Sequence, residues 1–267
     1  MRRDFIKAGL VMLAGAVGAP LAANAQSNKA SAGTPWPPIT IYHLEGRRSE
    51  RLVWLMEELG HPYKLVFHQG DLQGSMDEIR KISPIVPMAP TVQYGSEVLV
   101  ESGAIIEILL NRHAPGVLVP PLNSPDYSHH MIFMHYAEGS LASRLFSDYR
   151  AYLIQPPTAR TSMVDSQASV EFAEDHLRHH PWFGGASFSS ADVMMKFPLD
   201  VSTDLNLIDA AQFPKVADWK KRIEARTAYQ RMRAKALPKG PVGMLRPLPH
   251  RAEGPRTASK YARPPEK

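Results

Sequence analysis

The spacing of apolar residues changes partway along this chain, and that change restricts what it can fold into. Up to about residue 100 the apolar pattern is mixed. Ile39 to His43 is a short β-branched run, Tyr63 to Phe67 is a second, and between them Leu52, Leu55, Met56 and Leu59 recur at helical spacing. Ser49 is a candidate N-cap for that helix, and Gly60 with Pro62 stops it. Met76 to Ile82 is a short helix candidate. Thr91-Val92-Gln93 and Val98-Leu99-Val100 read as strands about a Tyr94-Gly95-Ser96-Glu97 turn, and Ser102 opens an apolar helix through Leu109. After the proline-rich stretch Pro115 to Pro125, strand signals stop. Tyr127–Leu153, Met163–His179, Ala191–Leu199 and Val216–Arg233 all carry helical periodicity, punctuated by Pro157, Pro181 and Pro214. The expected fold class is α/β plus all-α: a βαβ-ββα domain over 39–114, a linker over 115–126 and a helical bundle over 127–237.

The formal net charge is +5, but residues 1–25 and 238–267 together carry more than all of it, which leaves 26–237 slightly acidic. A nucleic-acid-binding body would need a basic face of its own, so no nucleic-acid partner is expected. The chain has no cysteine. That excludes disulfides, a cysteine nucleophile and thiolate–metal sites, so any thiol chemistry needs a sulfur brought by a ligand.

The first 25 residues read as an export signal. Arg2-Arg3-Asp4-Phe5-Ile6-Lys7 is a twin-arginine pattern, Ala8 to Ala22 is apolar, and Ala23-Asn24-Ala25 offers small residues for cleavage. The apolar run is too short and too rich in Gly and Ala for a stable membrane span, so the expected location is exported and periplasmic. Residues 26–38 read as a linker, and 238–267 as a disordered basic tail.

Several local motifs, taken in order, resemble a bacterial glutathione S-transferase-like family over about residues 39–236. They are Ile41-Tyr42-His43-Leu44 with Arg51 to Gly60; Met88-Ala89-Pro90-Thr91-Val92 with Val98 to Ile106; His135 to Leu141; His180 to Gly185 with Phe188 to Asp192; and Phe213-Pro214 with Trp219 and Arg226 to Tyr229. The resemblance implies a thioredoxin-like N-terminal domain, an all-helical C-terminal domain, glutathione as co-substrate and a homodimer. It also implies a cis Ala89–Pro90 bond that turns the Ala89 main chain toward an extended ligand, which could pair there like an added strand.

Glu101-Ser102, at a strand-to-helix junction, suits the γ-glutamyl end. The helix N-terminus takes the carboxylate, Glu101 the ammonium, and Ser102 can cap and still present its hydroxyl. Met88 stands where relatives place a basic residue, after Pro87 in place of Gly.

The chemistry implied is activation of the glutathione thiol by a group that donates to the thiolate. At the usual donor position stands Gly46, without a side chain. Candidate donors are Tyr42 at the strand end, at about the tyrosine-type spacing to Trp54 and Gly60, then Ser49, and Arg47 or Arg48 acting through charge or on the glycine carboxylate. Backbone N–H groups near Gly46 are a further possibility. Tyr136, Leu141, Leu145 and Phe146 suit either an electrophile pocket or a core stripe. Ser189 to Asp192 has the form of a capping box, read as structural. The adjacent pairs His129-His130 and His179-His180 are read as solvated, with no metal expected, because neighbours on one helix point to different faces.

Three functions follow. The first is a transferase acting on a small electrophile or hydroperoxide. The second is a non-catalytic glutathione- or ligand-binding protein, favoured by Gly46 and Pro87. The third is a partner-binding role for the basic tail.

Overall fold

The computed structural model describes residues 35–154, 166–240 and 245–249. The expected export signal at 1–25, most of the expected linker and most of the expected basic tail lie outside the described residues. In the N-terminal half, β1 (Ile39–Tyr42), α1 (Glu50–Leu59), β2 (Lys64–Val66), α2 (Leu72–Ile82), β3 (Thr91–Tyr94), β4 (Glu97–Val100) and α3 (Ser102–His113) follow in the expected βαβ-ββα order. The sheet order is β2-β1-β3-β4, with β1 parallel to β2 and antiparallel to β3. Gly95, at φ 58°, turns β3 into β4.

Strand alternation divides the sheet into two faces. Ile39, Ile41, Val92 and Tyr94 join the main core beneath α1 and α3, while Tyr42 packs with Leu44 and Ile79 on the α2 side. Asp71 caps α2 by accepting the Gly74 N–H, so that helix begins four residues before the sequence expectation.

The second half is helical: α4 (Pro125–Tyr136), a π-turn (Ala137–Ala142), α5 (Ser143–Ile154), α6 (Ser166–His179), α7 (Ser190–Asp204), α8 (Pro214–Glu224) and α9 (Thr227–Ala236). The main core runs without a break from Ile105 and Leu109 to Met194, Phe183 and Trp219, so the two halves share one apolar interior. Helix α1 lies against α7 and α9, with Trp54 edge-on to Tyr229 and Arg226 bonded by two nitrogens to Glu58.

Other boundaries also differ from the sequence expectation. The helix expected over 127–153 is interrupted by the π-turn, which inserts a wider turn at Gly139 and carries Glu138 toward α1. The helix expected over 216–233 breaks at Arg226, whose extended ψ of 129° directs its side chain onto Glu58 and over the Phe188 ring at 3.6 Å. The end of the expected linker is packed, with Trp36 stacked between His61 and His113. Part of the expected disordered tail is also packed. Leu248 is buried, its N–H donates to Leu205, and Asn206 donates to its carbonyl. One buried leucine among prolines leaves no periodicity to detect.

Candidate functional site

Three segments converge where the sheet meets the start of α1: the 43–49 turn, the Met88–Pro90 turn and the head of α3. Ala89–Pro90 is cis. The Thr91 hydroxyl donates to the Met88 carbonyl at 2.8 Å and fixes that turn. Met88 is exposed and Ala89 half-buried, and no backbone bond engages Ala89 among the described residues. Its main chain is therefore open to an extended partner.

At the head of α3 the residues divide the work differently from the sequence expectation. Glu101 is the N-cap residue, with φ 69° and ψ 105°, no side-chain cap bond and an exposed carboxylate. A non-glycine residue in that region costs on the order of 1–3 kcal/mol, which surrounding structure must sustain. The first intrahelical bond runs from Ile105 N–H to Glu101, so the N–H groups before it are left for an anion. Ser102 does not present its hydroxyl to that anion. It is buried at the first helical position, accepts from Arg51 Nη1 at 3.0 Å, and faces the Met194 sulfur at 3.9 Å. This corrects the expectation of a capping and ligand-facing hydroxyl, because the buried Arg51 guanidinium needs an acceptor there.

The hydroxyl candidates for thiol activation are both withdrawn. Tyr42 is buried, and its hydroxyl reaches back along the sheet toward Gln93 Oε1 at 3.5 Å, a marginal bond. Gln93 is the register partner of Thr40, so the hydroxyl leans away from the strand end where a thiol would sit. Ser49 is fully buried and makes no cap bond. His43 explains why. Its Nε2 lies 2.9 Å from the Ala236 carbonyl, which can only accept, so Nε2 carries the proton. Nδ1 is then a bare acceptor 2.8 Å from Ser49 Oγ, and it takes the hydroxyl proton while Ser49 accepts the Leu44 N–H. Ser49 pins the turn and has no donor left for sulfur.

Burial lowers the His43 pKa to about 4, against the pull of the Ala236 carbonyl. The folded pKa lies below the ordinary 6.5, so the unfolded chain binds the proton first and stability falls as pH drops from 6.5 toward 4. At pH 7 the wild type should be more stable than His43→Gln. By pH 4.5 that advantage should shrink by about 2–3 kcal/mol in urea unfolding, and an unchanged gap would show that the ring is not held neutral.

The two arginines separate. Arg48 donates to Glu138 Oε1 at 2.8 Å and lies over the Phe146 and Phe197 rings, so it braces the helical domain and is not held for a ligand. Arg47 is half-buried, donates to the Gly46 carbonyl, and forms no ion pair within 4.0 Å among the described residues. Burial lowers its pKa, with Glu50 opposing. Glu50 itself bends to the Gly46 N–H, and burial raises it to about 7. Leu141 and Leu145 are core, and the Tyr136 hydroxyl is taken by the Ser169 carbonyl. Of the residues considered for an electrophile pocket, these three serve packing, and Phe146 receives Arg48.

Sequence reasoning passed over Glu138, the π-turn carboxylate that unites Arg48 and Arg51, and Glu45, whose buried Oε2 accepts the Gly70 N–H at 2.6 Å. Neither has a local motif, since their partners are distant or main-chain. The capping box is present, with Ser189 and Asp192 exchanging bonds at the head of α7. The histidine pairs are not simply solvated. His130 is buried beside Ser189 Oγ, and His129 and His180 meet His176.

The comparisons with known proteins agree with the fold. Residues 42–116 match the family model for the glutathione S-transferase N-terminal domain, and residues 156–227 match the model for its C-terminal domain. Glutathione S-transferase 1 of Saccharomyces cerevisiae is 24% identical over 75% of this chain and 96% of its own length. A crystal structure of a glutathione S-transferase from Actinobacillus pleuropneumoniae superposes with a TM-score of 0.62 at 25% identity, covering 74% of this chain and 92% of that one. A theta-class transferase from Xanthomonas axonopodis pv. citri gives 0.57 at 24% identity, over 73% of this chain and 96% of that one. With both domain models met in the order of the fold, the chain belongs to the glutathione S-transferase-like family.

Proposed function

We propose that the protein is a glutathione transferase that holds glutathione along the Ala89 main chain, with its γ-glutamyl end at Glu101 and the head of α3. The observation that carries this reading is Glu101. An exposed carboxylate held at positive φ over unpaired helix N–H groups suits an ammonium and a carboxylate on one ligand group. The theta-class structure from Xanthomonas was solved with glutathione bound, which supports the same ligand here. Met88 is an exposed apolar neighbour and supplies no charge to the ligand.

With Tyr42 and Ser49 withdrawn, thiolate stabilisation falls to the Arg47 guanidinium and to the main-chain N–H groups of Arg47 and Arg48, which make no backbone bond among the described residues. A cation beside sulfur lowers a thiol pKa from about 8.5 toward neutrality. Turnover of a chlorodinitroarene and of an organic hydroperoxide is the test. Tyr42→Phe should stay within about twofold of wild type. Ser49→Ala should lose about 1–2 kcal/mol of stability but keep its kcat well below the melting temperature. Arg47→Met should lose roughly tenfold in kcat/KM, about 1.4 kcal/mol. Abolished turnover in Tyr42→Phe would overturn the assignment.

The second reading, a glutathione-binding protein without transfer chemistry, is favoured by the same withdrawal of both hydroxyls. Retention on immobilised glutathione without turnover of either substrate would establish it.

The export reading of residues 1–25 is carried with this proposal. Replacing Arg2 and Arg3 by lysine should leave the chain in the cytoplasmic fraction. The homodimer is likewise a proposal, for which sedimentation is the measurement.

A further inference from the structure

Away from the glutathione site, three histidines of the helical domain meet at the α4–α6 contact. His129 comes from α4, His176 from the last turn of α6, and His180 is the residue that follows the end of α6. One ligand atom from each lies within 4.8 Å of the other two. The ring centroids are 5.0 Å apart for His129 and His176, 4.5 Å for His129 and His180, and 4.6 Å for His176 and His180. All three are half-buried.

Metal-bound imidazole nitrogens sit about 2.0–2.1 Å from zinc, so ligand atoms in a tetrahedral site lie about 3.4 Å apart. Closing this cluster to that spacing requires the rings to turn toward one point, since His176 and His180 now stack at an interplanar angle of 21°. His176 in the last turn of α6 and His180 just past its end, whose N–H donates to the His176 carbonyl at 3.0 Å, offer two such ligands, and the third arrives from the facing helix.

We propose that His129, His176 and His180 form a binding site for a divalent transition metal of the zinc class, with three imidazole nitrogens and a fourth position open to water. Imidazole donors suit zinc, copper, nickel and cobalt over magnesium or calcium. Two features outside the ligand set prepare it. His176 Nε2 lies 3.0 Å from the Trp182 carbonyl, so that nitrogen carries the proton and the Nδ1 lone pair is left for the metal. The His176 ring is also held in place by Phe133 and Phe183.

Asp126 supplies negative charge beside the cluster. Its Oδ2 accepts the Ala186 N–H at 3.0 Å, and its carboxyl lies so close to Gly185 that a Cβ there would meet it at 2.2 Å. It is therefore locked against the 185–186 turn and acts on His176 and His180 through charge.

The rings of adjacent histidines do diverge: His130 turns inward to Ser189, and His179 is exposed. One member of each pair, however, is left facing His176. The site needs no residue of the N-terminal domain, so it stands whether or not glutathione binds.

The test uses the untagged full chain, stripped with a chelator and free of glutathione, which itself binds metals. Zinc titrated by calorimetry should bind at one ion per chain. Cobalt should give the visible ligand-field bands of a four-coordinate site. Excess zinc should raise the melting temperature by roughly 5 °C. His180→Ala should weaken zinc binding roughly 100-fold and abolish the cobalt bands, while His179→Ala should leave both unchanged. His129→Gln gives a second variant that avoids the packed His176 ring. The proposal is overturned if binding is substoichiometric, if folded His180→Ala and His129→Gln bind as the wild type does, or if His179→Ala loses as much as His180→Ala.

Discussion

Replacing Asp192 with alanine should destabilise the protein by about 4 kcal/mol, among the largest effects of any single substitution outside the glutathione site. The carboxylate is fully buried at the head of α7. Its Oδ1 accepts from the Phe183 N–H at 2.9 Å and the Trp219 indole N–H at 2.8 Å, and its Oδ2 accepts from the Ser189 N–H at 2.9 Å. Burial raises its pKa to about 6 against the pull of these donors, so it is ionised at neutral pH. Alanine would leave three buried donors without acceptors, and each orphan costs about 1–3 kcal/mol. Asparagine keeps one oxygen but sets an amide against a donor, so it should recover about half the loss. Urea midpoints of the two variants measure both. A loss below about 1 kcal/mol for alanine would mean that water replaces the carboxylate and that this buried junction is not closed.

Arg51→Met should cost about 3 kcal/mol and weaken glutathione binding roughly tenfold, because one buried side chain joins both halves of the molecule to the head of α3. From α1, Nη1 reaches Ser102 at 3.0 Å and Glu138 at 2.6 Å, and Nη2 reaches the Met194 carbonyl at 2.6 Å. Methionine fills much of the same volume but leaves Ser102 and Met194 without their donor. Glu138 keeps Arg48, which limits the loss. Lysine retains the charge but lacks the planar fork, so Arg51→Lys should rescue little. Paired urea unfolding and glutathione titration separate the two effects. A variant that is destabilised but binds glutathione normally would show that Ser102 does not depend on Arg51 for its position.

The large divisions of the fold were legible because each has a local physical cause. The Tyr94-Gly95 turn, the capping box at Ser189 and the halt in strand periodicity before Pro125 all arise from residues near one another in sequence. The site was legible only in part. Glu101 is exposed at the head of α3, whereas Ser102 does not present its hydroxyl because Arg51 takes it, and Ser49 does not because His43 takes its proton. Ala236 fixes the His43 tautomer from 193 residues away, and that tautomer consumes the Ser49 proton. Arg51 turns Ser102 inward for the same kind of reason. The histidine cluster was not legible from the adjacent pairs, because it joins His176 on α6, His180 just past the end of that helix and His129 across the helix contact.

Glutathione titrated by calorimetry into wild type and Glu101→Gln, with cysteinylglycine as the truncated ligand, tests the central account. Wild type should bind glutathione, bind cysteinylglycine at least roughly tenfold more weakly, and lose about tenfold in glutathione affinity on Glu101→Gln, since a charge-assisted bond to the γ-glutamyl ammonium is worth about 1.5–3 kcal/mol. Equal binding of both ligands, or an affinity unchanged by Glu101→Gln, would contradict the placement of that group at the head of α3.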